Sequence, residues 1–245
     1  MKNSNNPVLL AAWLLTLIAS TYGCQKESEI SNVKSNDTNI SSRTNQNSIV
    51  FAPNSNPYGQ SYDDWVRDWM IALYQFDCDL LNGTEPIVAP VSDKVTLIYV
   101  PKAEDTISVP KNTSIVITSG FYLNDFPCPD PDFAPPPGQS LESFLQAGAA
   151  DFMDGEQNVQ TTLDGVSVSN MDAFRFQTDL FYFTGNLELS TCWDPCITGQ
   201  SQAAVVDGYF VMFKKMTPGE HVLVRSGEWP AYNYSWISTI HINVY

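Results

Sequence analysis

The chain has 245 residues, and its 27 acidic residues outnumber its 12 lysines and arginines, which gives a formal net charge of −15. A chain this acidic repels phosphate backbones and anionic lipid headgroups, so nucleic acid is excluded as an expected partner. Hydrophobic residues make up 43% of the sequence, which is enough for one sizeable core.

Residues 1–23 have the pattern of a signal peptide, with Lys2 as the positive charge and an apolar core over residues 7–20. As a helix this core would be about 21 Å long, shorter than the roughly 30 Å hydrocarbon layer, so a permanent membrane span is not expected. Gly23 directly before Cys24 resembles the lipobox of bacterial lipoproteins, in which the cysteine is acylated and the signal is removed in front of it. The sequence therefore predicts a lipid anchor on Cys24, and an ordinary secretory signal is the alternative.

The residues after Cys24 bear on the destination of the protein. Gln25 stands where an aspartate signals inner-membrane retention, and residues 26–29 resemble the acidic surface signals of Bacteroidota lipoproteins. This resemblance implies an outer membrane lipoprotein, on the cell surface or the periplasmic face, that contacts the membrane through its lipid anchor only. Residues 24–50 are poor in large apolar side chains, so they predict a disordered tether before a single domain over residues 51–245.

The clearest element of the domain is a helix over about residues 61–76. Ser61 is a candidate N-cap with Asp64 three residues later, and charged residues occupy the face opposite the apolar one. The apolar face holds Tyr62, Trp65, Val66, Trp69, Met70, Leu73 and Phe76. Two tryptophans four residues apart predict docking of this helix onto a sheet, with a ligand-binding aromatic pair as the alternative.

Strand-like runs follow at residues 95–100 and 114–118, and the polar stretch between them, residues 101–112, predicts turns. The proline-rich residues 126–137 cannot form a helix or an inner strand, so they predict a long surface loop. A second helix is predicted over about residues 140–154. The acidic residues at its end, Asp151, Asp154 and Glu156, are predicted to lie on the surface.

The remainder of the domain is predicted to be all β. Asp164-Gly165 between two apolar runs predicts a tight hairpin. Further strands are predicted over residues 174–178, 180–183, 204–216, 221–225 and 234–245. Short strands with Gly and Pro turns predict a mainly β fold, a β-sandwich or jelly roll of antiparallel sheets with two packed α-helices.

Four cysteines remain once Cys24 carries lipid: Cys78, Cys128, Cys192 and Cys196. An even number in an oxidising compartment predicts two disulfides and leaves three possible connectivities. One of them has a bridge inside the Cys192 to Cys196 loop, with Cys78 paired to Cys128. A metal site would need C-x-x-C spacing or partner histidines, which are missing, so neither a metal nor another cofactor is expected.

Three segments carry a resemblance to a group of secreted bacterial proteins. They are Pro57-Tyr-Gly-Gln-Ser-Tyr-Asp-Asp-Trp65, Thr162-Leu-Asp-Gly-Val166, and Asp207-Gly-Tyr-Phe-Val-Met212 followed by Met216-Thr-Pro-Gly-Glu-His221. Members open with a Tyr-Gly-x-Ser/Thr-Tyr-x-x-Trp helix and close with a Pro-Gly-Glu-His hairpin. The resemblance spans residues 57–245 and implies a single domain without an assigned activity.

An aromatic segment near the C-terminus is the main candidate site. Its candidate ligand-binding residues are Trp229, Tyr232, Asn233, Tyr234 and Trp236. If the segment is exposed, flat rings with polar tips predict carbohydrate stacking, with Asn233 and Glu228 bonded to hydroxyls and Trp193 as an added ring. The favoured alternative is that Tyr232, Tyr234 and Trp236 share one strand face and fill the core.

Catalytic and metal-binding candidates are weak. No G-x-S-x-G nucleophile motif occurs, so the sequence predicts no catalytic residue except His221 as a weak general-base candidate, for which a structural role is favoured. Asp125, Asp130 and Asp132 offer oxygen ligands for Ca²⁺, but no EF-hand pattern is present, and a solvated acidic loop is favoured.

The sequence favours a non-enzymatic envelope protein that binds or scaffolds something outside the cell, either a glycan or another envelope protein. The alternative is a small exported polysaccharide-active enzyme, a lyase or hydrolase, that uses His221. A binding protein predicts an exposed aromatic strip without a deep pocket, whereas an enzyme predicts His221 in a cleft beside a Tyr, Asp or Glu.

Overall fold

The computed structural model describes residues 49–245, so the predicted signal peptide, Cys24 and nearly all of the predicted tether lie outside the described residues. Within residues 49–245, no helix is both long enough and apolar enough to cross a membrane. Val50, assigned to the tether by its sequence, is buried and forms a β-bridge with Phe213. The folded domain therefore includes residue 50, which precedes its predicted start.

The described residues form a mainly β domain with three α-helices. The helices are α1 (Tyr62–Leu73), α2 (Cys78–Leu81) and α3 (Leu141–Met153). The strands are β1 (Ile87–Ser92), β2 (Val95–Tyr99), β3 (Glu104–Val109), β4 (Ser114–Phe126), β5 (Gln157–Leu163), β6 (Val166–Ser167), β7 (Arg175–Gln177), β8 (Phe181–Thr184), β9 (Ser201–Phe213), β10 (Gly219–Trp229) and β11 (Tyr234–Val244).

These strands form two sheets. Sheet A has the order β1-β2-β4-β9-β7, with β8 also paired to β9, and sheet B has the order β3-β11-β10-β5-β6. The predicted mainly β, sandwich-like class is confirmed, but the sheets are mixed rather than purely antiparallel, because β2 pairs with β4 and β3 pairs with β11 in parallel. Each parallel pair joins strands that a hairpin does not connect.

Helix α1 begins where its sequence predicts. The Asp64 N–H donates to Ser61 Oγ at 3.2 Å and the Ser61 N–H donates to the Asp64 carboxylate, so a capping box is present. Trp69 packs edge-on against Phe121 of β4 and Phe210 of β9, with ring centroids 5.3 and 5.4 Å apart. The helix is thus docked on sheet A, and it ends at Leu73 rather than near residue 76.

Helix α3 is also close to its predicted bounds, with Ser140 as N-cap accepting a hydrogen bond from the Ser143 N–H. Its apolar side chains pack with Ala203 and Val205 of β9 in a small second core. The helix lies on sheet A next to β4 and β9. Its C-terminal end leads directly into β5, which belongs to the other sheet.

Two strands lie where turns or no strand were predicted. Residues 101–112 contain β3, whose burial alternates along its C-terminal half, with Ile107 and Val109 buried. The run offers only two apolar positions after Glu104, so a period-two pattern is too short to read from sequence. Strand β1 includes Pro90, which is tolerated because β1 lies at the edge of sheet A.

The four described cysteines form two disulfides, as predicted. The predicted connectivity with a bridge inside the 192–196 loop is wrong. Cys78 pairs with Cys192, and Cys128 pairs with Cys196. A short 3₁₀ turn that ends at residue 191 places Cys192 beside α2, where Asn82 donates to the Cys192 carbonyl. The loop therefore presents its two sulfur atoms to two different neighbours.

Candidate functional site

The β10–β11 hairpin ends in an exposed aromatic turn. Trp229 pairs with Tyr234 as the last ladder position, and a 3₁₀ turn (Pro230–Tyr232) and Asn233, with a φ of 49°, connect the strands. Tyr232 is 53% exposed and Tyr234 is 41% exposed. The prediction that these tyrosines fill the core is wrong. Tyr232 lies in a turn, and Tyr234 lies at the end of its strand, past the covered part of the sheet.

Four rings from distant parts of the sequence form a continuous row, which we call the aromatic strip: Tyr122, Phe152, Trp229 and Tyr232. Tyr122 stacks on Phe152 with centroids 4.4 Å apart, and Phe152 lies 4.8 Å from Trp229. Trp229 in turn lies 6.4 Å from Tyr232. Tyr232 is exposed, whereas the other three rings are half-buried and pack against the core, so the strip keeps some solvent-exposed aromatic surface.

The hairpin that carries Trp229 and Tyr232 also carries two exposed polar side chains. Glu228 is exposed and accepts a hydrogen bond from the Asn158 amide at 2.8 Å. Asn233 is exposed at the tip of the turn. Flat apolar rings beside carboxylate and amide groups match a ligand with both apolar faces and hydroxyl groups.

Trp236 is half-buried and belongs to a polar cluster beneath the strip. Its indole Nε1–H donates to Glu156 Oε1 at 3.0 Å, and the guanidinium of Arg225 lies 6.0 Å from its ring centre. Glu156, predicted at the surface, is only 4% exposed. Burial raises the pKa of Glu156 to about 7, although the bond from Trp236 and the charges of Arg175 and Arg225 lower it.

Trp193 does not contact a ring of the strip. It is half-buried, and its ring packs edge-on against Tyr99 of β2 with centroids 6.0 Å apart. The expectation that Trp193 joins the aromatic segment is therefore wrong. The disulfide between Cys192 and Cys78 ties the preceding residue to α2.

Two carboxyl groups lie close together near the second disulfide. Oxygen atoms of Asp125 in β4 and Asp194 in the 192–196 loop lie within 4.8 Å of each other. Gln202 donates to Asp125, while the Tyr74 hydroxyl and the Cys196 N–H donate to Asp194 at 3.3 and 3.0 Å. Among the ion pairs of the described residues, none involves either carboxyl group.

Because no cation neutralises this pair, the two groups do not ionise together readily. Burial and the neighbouring charge of Asp194 raise the pKa of Asp125 to about 8, and burial raises the pKa of Asp194. The nearby Cys196 sulfur is held in a disulfide, so it offers no thiolate to a metal. Asp130 and Asp132 are exposed in the proline-rich loop, apart from this pair.

His221 joins the two hairpins of sheet B. Its Nδ1 lies 2.7 Å from Asp164 in the β5–β6 turn, and its Nε2 lies 2.8 Å from the Thr217 carbonyl. The same aspartate accepts the Val222 N–H at 2.9 Å. Both ring nitrogens therefore face acceptors within the fold, which favours a structural role over that of a free base.

The pKa of His221 follows from these contacts. Partial burial alone would lower this pKa, but the hydrogen bonds to Asp164 and Thr217 and the charge of Asp164 together raise it. Its contribution to stability is therefore present at low pH and is lost as the pH rises through the raised value. We expect Asp164→Asn to lower the pKa of His221, measured from the imidazole proton shifts by NMR. The exposed Asp79→Asn variant should leave that midpoint unchanged, and equal midpoints in all three proteins would contradict the assignment.

A cavity of about 270 Å³ lies beside β5 and β6. Its lining consists of Val159, Gln160, Thr161, Ser167, Val168, Asn170 and Met171. His221 is not among these residues, so this cavity is not the cleft that an enzyme built on His221 would need. No charged side chain lines it either.

No protein-family model, no curated protein and no solved structure matches this chain. The resemblance of residues 57–245 to a group of secreted bacterial proteins stays a prediction. Its motif residues do occupy defined places, since Ser61 caps α1 and Pro218 lies in the turn before β10. Function is therefore inferred from the geometry of the described residues.

Sequence reasoning found the hairpin end of the site and missed the rest. Trp229, Tyr232 and Asn233 were singled out by their density in one segment. Tyr122 and Phe152 stand in a strand and a helix where an aromatic residue ordinarily signals core packing, so no local pattern marks them. The C-terminal end of α3, which lies on sheet A and leads into β5 of sheet B, brings them to Trp229.

Proposed function

We propose that this protein is an exported, lipid-anchored envelope protein whose domain binds carbohydrate through the aromatic strip. The observation that carries the proposal is the continuous row of four partly exposed rings that ends at Tyr232 on the hairpin tip. A sugar presents an apolar ring face and a rim of hydroxyl groups, which suit the strip and its flanking Glu228 and Asn233.

The two disulfides support the part of the proposal that concerns export. Disulfides persist in oxidising compartments, and this domain has two. The predicted acylation of Cys24 would hold the domain at the outer membrane, with the tether giving it reach. Without Lys2 the mature chain carries a net charge of −16, one unit below that of the full sequence, so its acidic domain would stay in solution above the lipid.

An enzymatic function finds its best support in the carboxyl pair rather than in His221. A pair that retains one proton has the acid and base groups that a hydrolase needs. However, Asp125 is only 3% exposed and is bonded to Gln202, so no substrate atom reaches it in this conformation. Binding is therefore the function that the geometry supports best.

A glycan array screened with the mature chain carrying Cys24→Ser tests the proposal. We expect Tyr232→Ala to weaken binding of any glycan found by about tenfold, which corresponds to about 1.4 kcal/mol, because the exposed ring is lost while the fold is kept. Trp229→Ala should weaken it at least as much, because its ring is the centre of the strip.

Tyr182→Ala is the matched control, because this tyrosine of β8 is 63% exposed and is not part of any ring pair of the strip. Its affinity should equal that of the unmodified protein. Failure of every glycan to bind, or equal affinity in the Tyr232, Trp229 and Tyr182 variants, would contradict the proposal. Circular dichroism spectra check that each variant is folded.

A further inference from the structure

Glu156 lies between the two sheets, directly after α3, in an unusual environment for a carboxyl group. Its Oε1 accepts the indole N–H of Trp236, whereas its Oε2 is buried and has no hydrogen-bond partner among the described residues. A buried carboxylate with an unpaired oxygen is costly in its charged form, which favours retention of a proton. The group is therefore balanced between two protonation states.

Two glycines make room for this carboxyl group, one from each sheet. A Cβ atom at Gly120 of β4, where the register of the strand shifts, would overlap the carboxylate of Glu156. A Cβ atom at Gly227 of β10 would lie 3.0 Å from Oε1 and 2.8 Å from the indole nitrogen of Trp236. The contact between Glu156 and Trp236 is thus enclosed by backbone from both sheets.

The same segment touches the aromatic strip. Gly155 precedes Glu156, and a Cβ atom added at Gly155 would lie 3.1 Å from the ring of Trp229. Across the β10–β11 hairpin, Trp229 pairs with Tyr234 and Gly227 pairs with Trp236. The consecutive residues Gly155 and Glu156 therefore lie against the two tryptophans.

The charged and titratable groups that face Glu156 come from three strands. They are Arg225 of β10, Arg175 of β7 and Tyr209 of β9. Arg225 donates to two backbone carbonyls, and Arg175 pairs with two aspartates, so neither forms an ion pair with Glu156. The bond from Trp236 is consequently the one direct hydrogen bond to the carboxyl group among the described residues.

We propose that Glu156 is a positioning residue for the carbohydrate site, and that gain or loss of its proton changes the placement of Trp236 and, through Gly155, of Trp229. The ionised carboxylate makes a charge-assisted bond to the indole, which is stronger than the bond to the neutral acid. Ionisation therefore fixes Trp236 and orders the strip. The consequence for binding rests on the proposed function, but the coupling between Glu156 and the two tryptophans does not.

Indole N–H signals in a ¹⁵N–¹H NMR spectrum of the mature Cys24→Ser chain test the coupling directly. We expect the Trp236 signal to move with pH around a midpoint near 7, with the Trp229 signal following the same midpoint. The indole of Trp65 donates to the Pro57 carbonyl at 2.9 Å and serves as the internal control, which should not follow that midpoint. A Trp236 signal that stays constant across this range overturns the inference.

Glu156→Gln keeps an oxygen acceptor but removes the proton equilibrium, so the Trp236 signal should lose its pH dependence. Asp151→Asn, at an exposed position of α3, is the matched control. Its Trp236 signal should titrate with the same midpoint as in the unmodified protein. A Trp236 midpoint that persists in Glu156→Gln overturns the inference. If Glu156→Gln does not fold, the titration of the unmodified protein against Trp65 still decides the outcome.

Affinity for a glycan found on the array supplies a separate measurement. The unmodified protein should bind severalfold more tightly at pH 8 than at pH 6, and Glu156→Gln should bind equally at both. A pH-independent affinity together with a titrating Trp236 signal would overturn the link to binding. If no glycan binds, the proposed function fails, while the NMR titration still decides whether Glu156 controls the two tryptophans.

Discussion

Removal of either disulfide alone is expected to lower the free energy of unfolding by about 4 kcal/mol, and by nearly the same amount for each bridge. The two bridges span 114 and 68 residues of sequence, which alone would make their effects differ by about 0.5 kcal/mol. However, the two loops interleave in the sequence. When either bridge is intact, formation of the other closes a ring that consists of residues 78–128 and 192–196, and this ring is the same in both cases. Equal ring size gives an equal loss of loop-closure entropy in the unfolded chain.

Urea unfolding of Cys78→Ser/Cys192→Ser and of Cys128→Ser/Cys196→Ser measures this effect. Removal of all four cysteines should cost roughly 4 kcal/mol more than either pair, because the last bridge closes a loop of its own. A difference above about 1 kcal/mol between the two single-bridge variants would contradict loop-closure entropy as the main source of the stabilisation. The unmodified protein in reducing buffer should behave as the variant without all four cysteines.

The connectivity of these bridges also shows where sequence reasoning stops. Four cysteines predict two disulfides in an exported chain, and this is confirmed. The spacing of Cys192 and Cys196 made a local bridge a reasonable expectation, but pairing depends on which segments the fold places beside each sulfur. Helix α2 and the proline-rich loop lie on either side of this loop, and no local pattern predicts that arrangement.

Local patterns predicted the regular elements better than the contacts between them. The capping box at Ser61, the N-cap at Ser140 and the Asp164-Gly165 turn each define an element boundary within a few residues, and all three are present. Strand β3 was missed because its stability comes from parallel pairing with β11. In this pairing Thr106 lies opposite His241, which is more than 130 residues later in the sequence. Such pairing leaves no trace in the sequence of either strand alone.

The same contrast between local patterns and contacts distant in sequence applies to the candidate site. The density of aromatic residues from Trp229 to Trp236 marked the hairpin tip, but the choice between core and surface depended on where the covering layer ends. Glu156 was predicted at the surface because a carboxylate at a helix end is ordinarily solvated. Its burial follows from the glycines at positions 120 and 227, which are far from it in sequence.

The second large effect is expected for the pH dependence of stability, through the Asp125 and Asp194 pair. Since the pKa of Asp125 rises from 3.8 to about 8 on folding, the folded protein binds more protons than the unfolded chain between these pH values. This contribution to stability is therefore greatest below pH 4 and is lost as the pH rises to about 8. The loss over that window is on the order of 6 kcal/mol.

Asp125→Asn should remove this loss, because an amide accepts the Gln202 hydrogen bond without acquiring a charge beside Asp194. Urea unfolding at intervals from pH 5 to pH 9 measures it, and the difference between variant and unmodified protein cancels the contributions of Glu156 and His221. The exposed Asp130→Asn variant should keep the pH profile of the unmodified protein. Parallel profiles for the Asp125 and Asp130 variants would contradict a shared proton.

Asp194→Asn provides the stricter comparison, because the retained proton belongs to the pair rather than to either residue. Removing the charge of Asp194 relieves the repulsion, but burial still raises the pKa of Asp125, so Asp194→Asn should flatten the profile less than Asp125→Asn does. The double variant should then add little. Additive effects of the two substitutions would mean that the two carboxyl groups titrate independently. Two observations argue against this: their oxygen atoms lie within 4.8 Å of each other, and within residues 49–245 no cation forms an ion pair with either group.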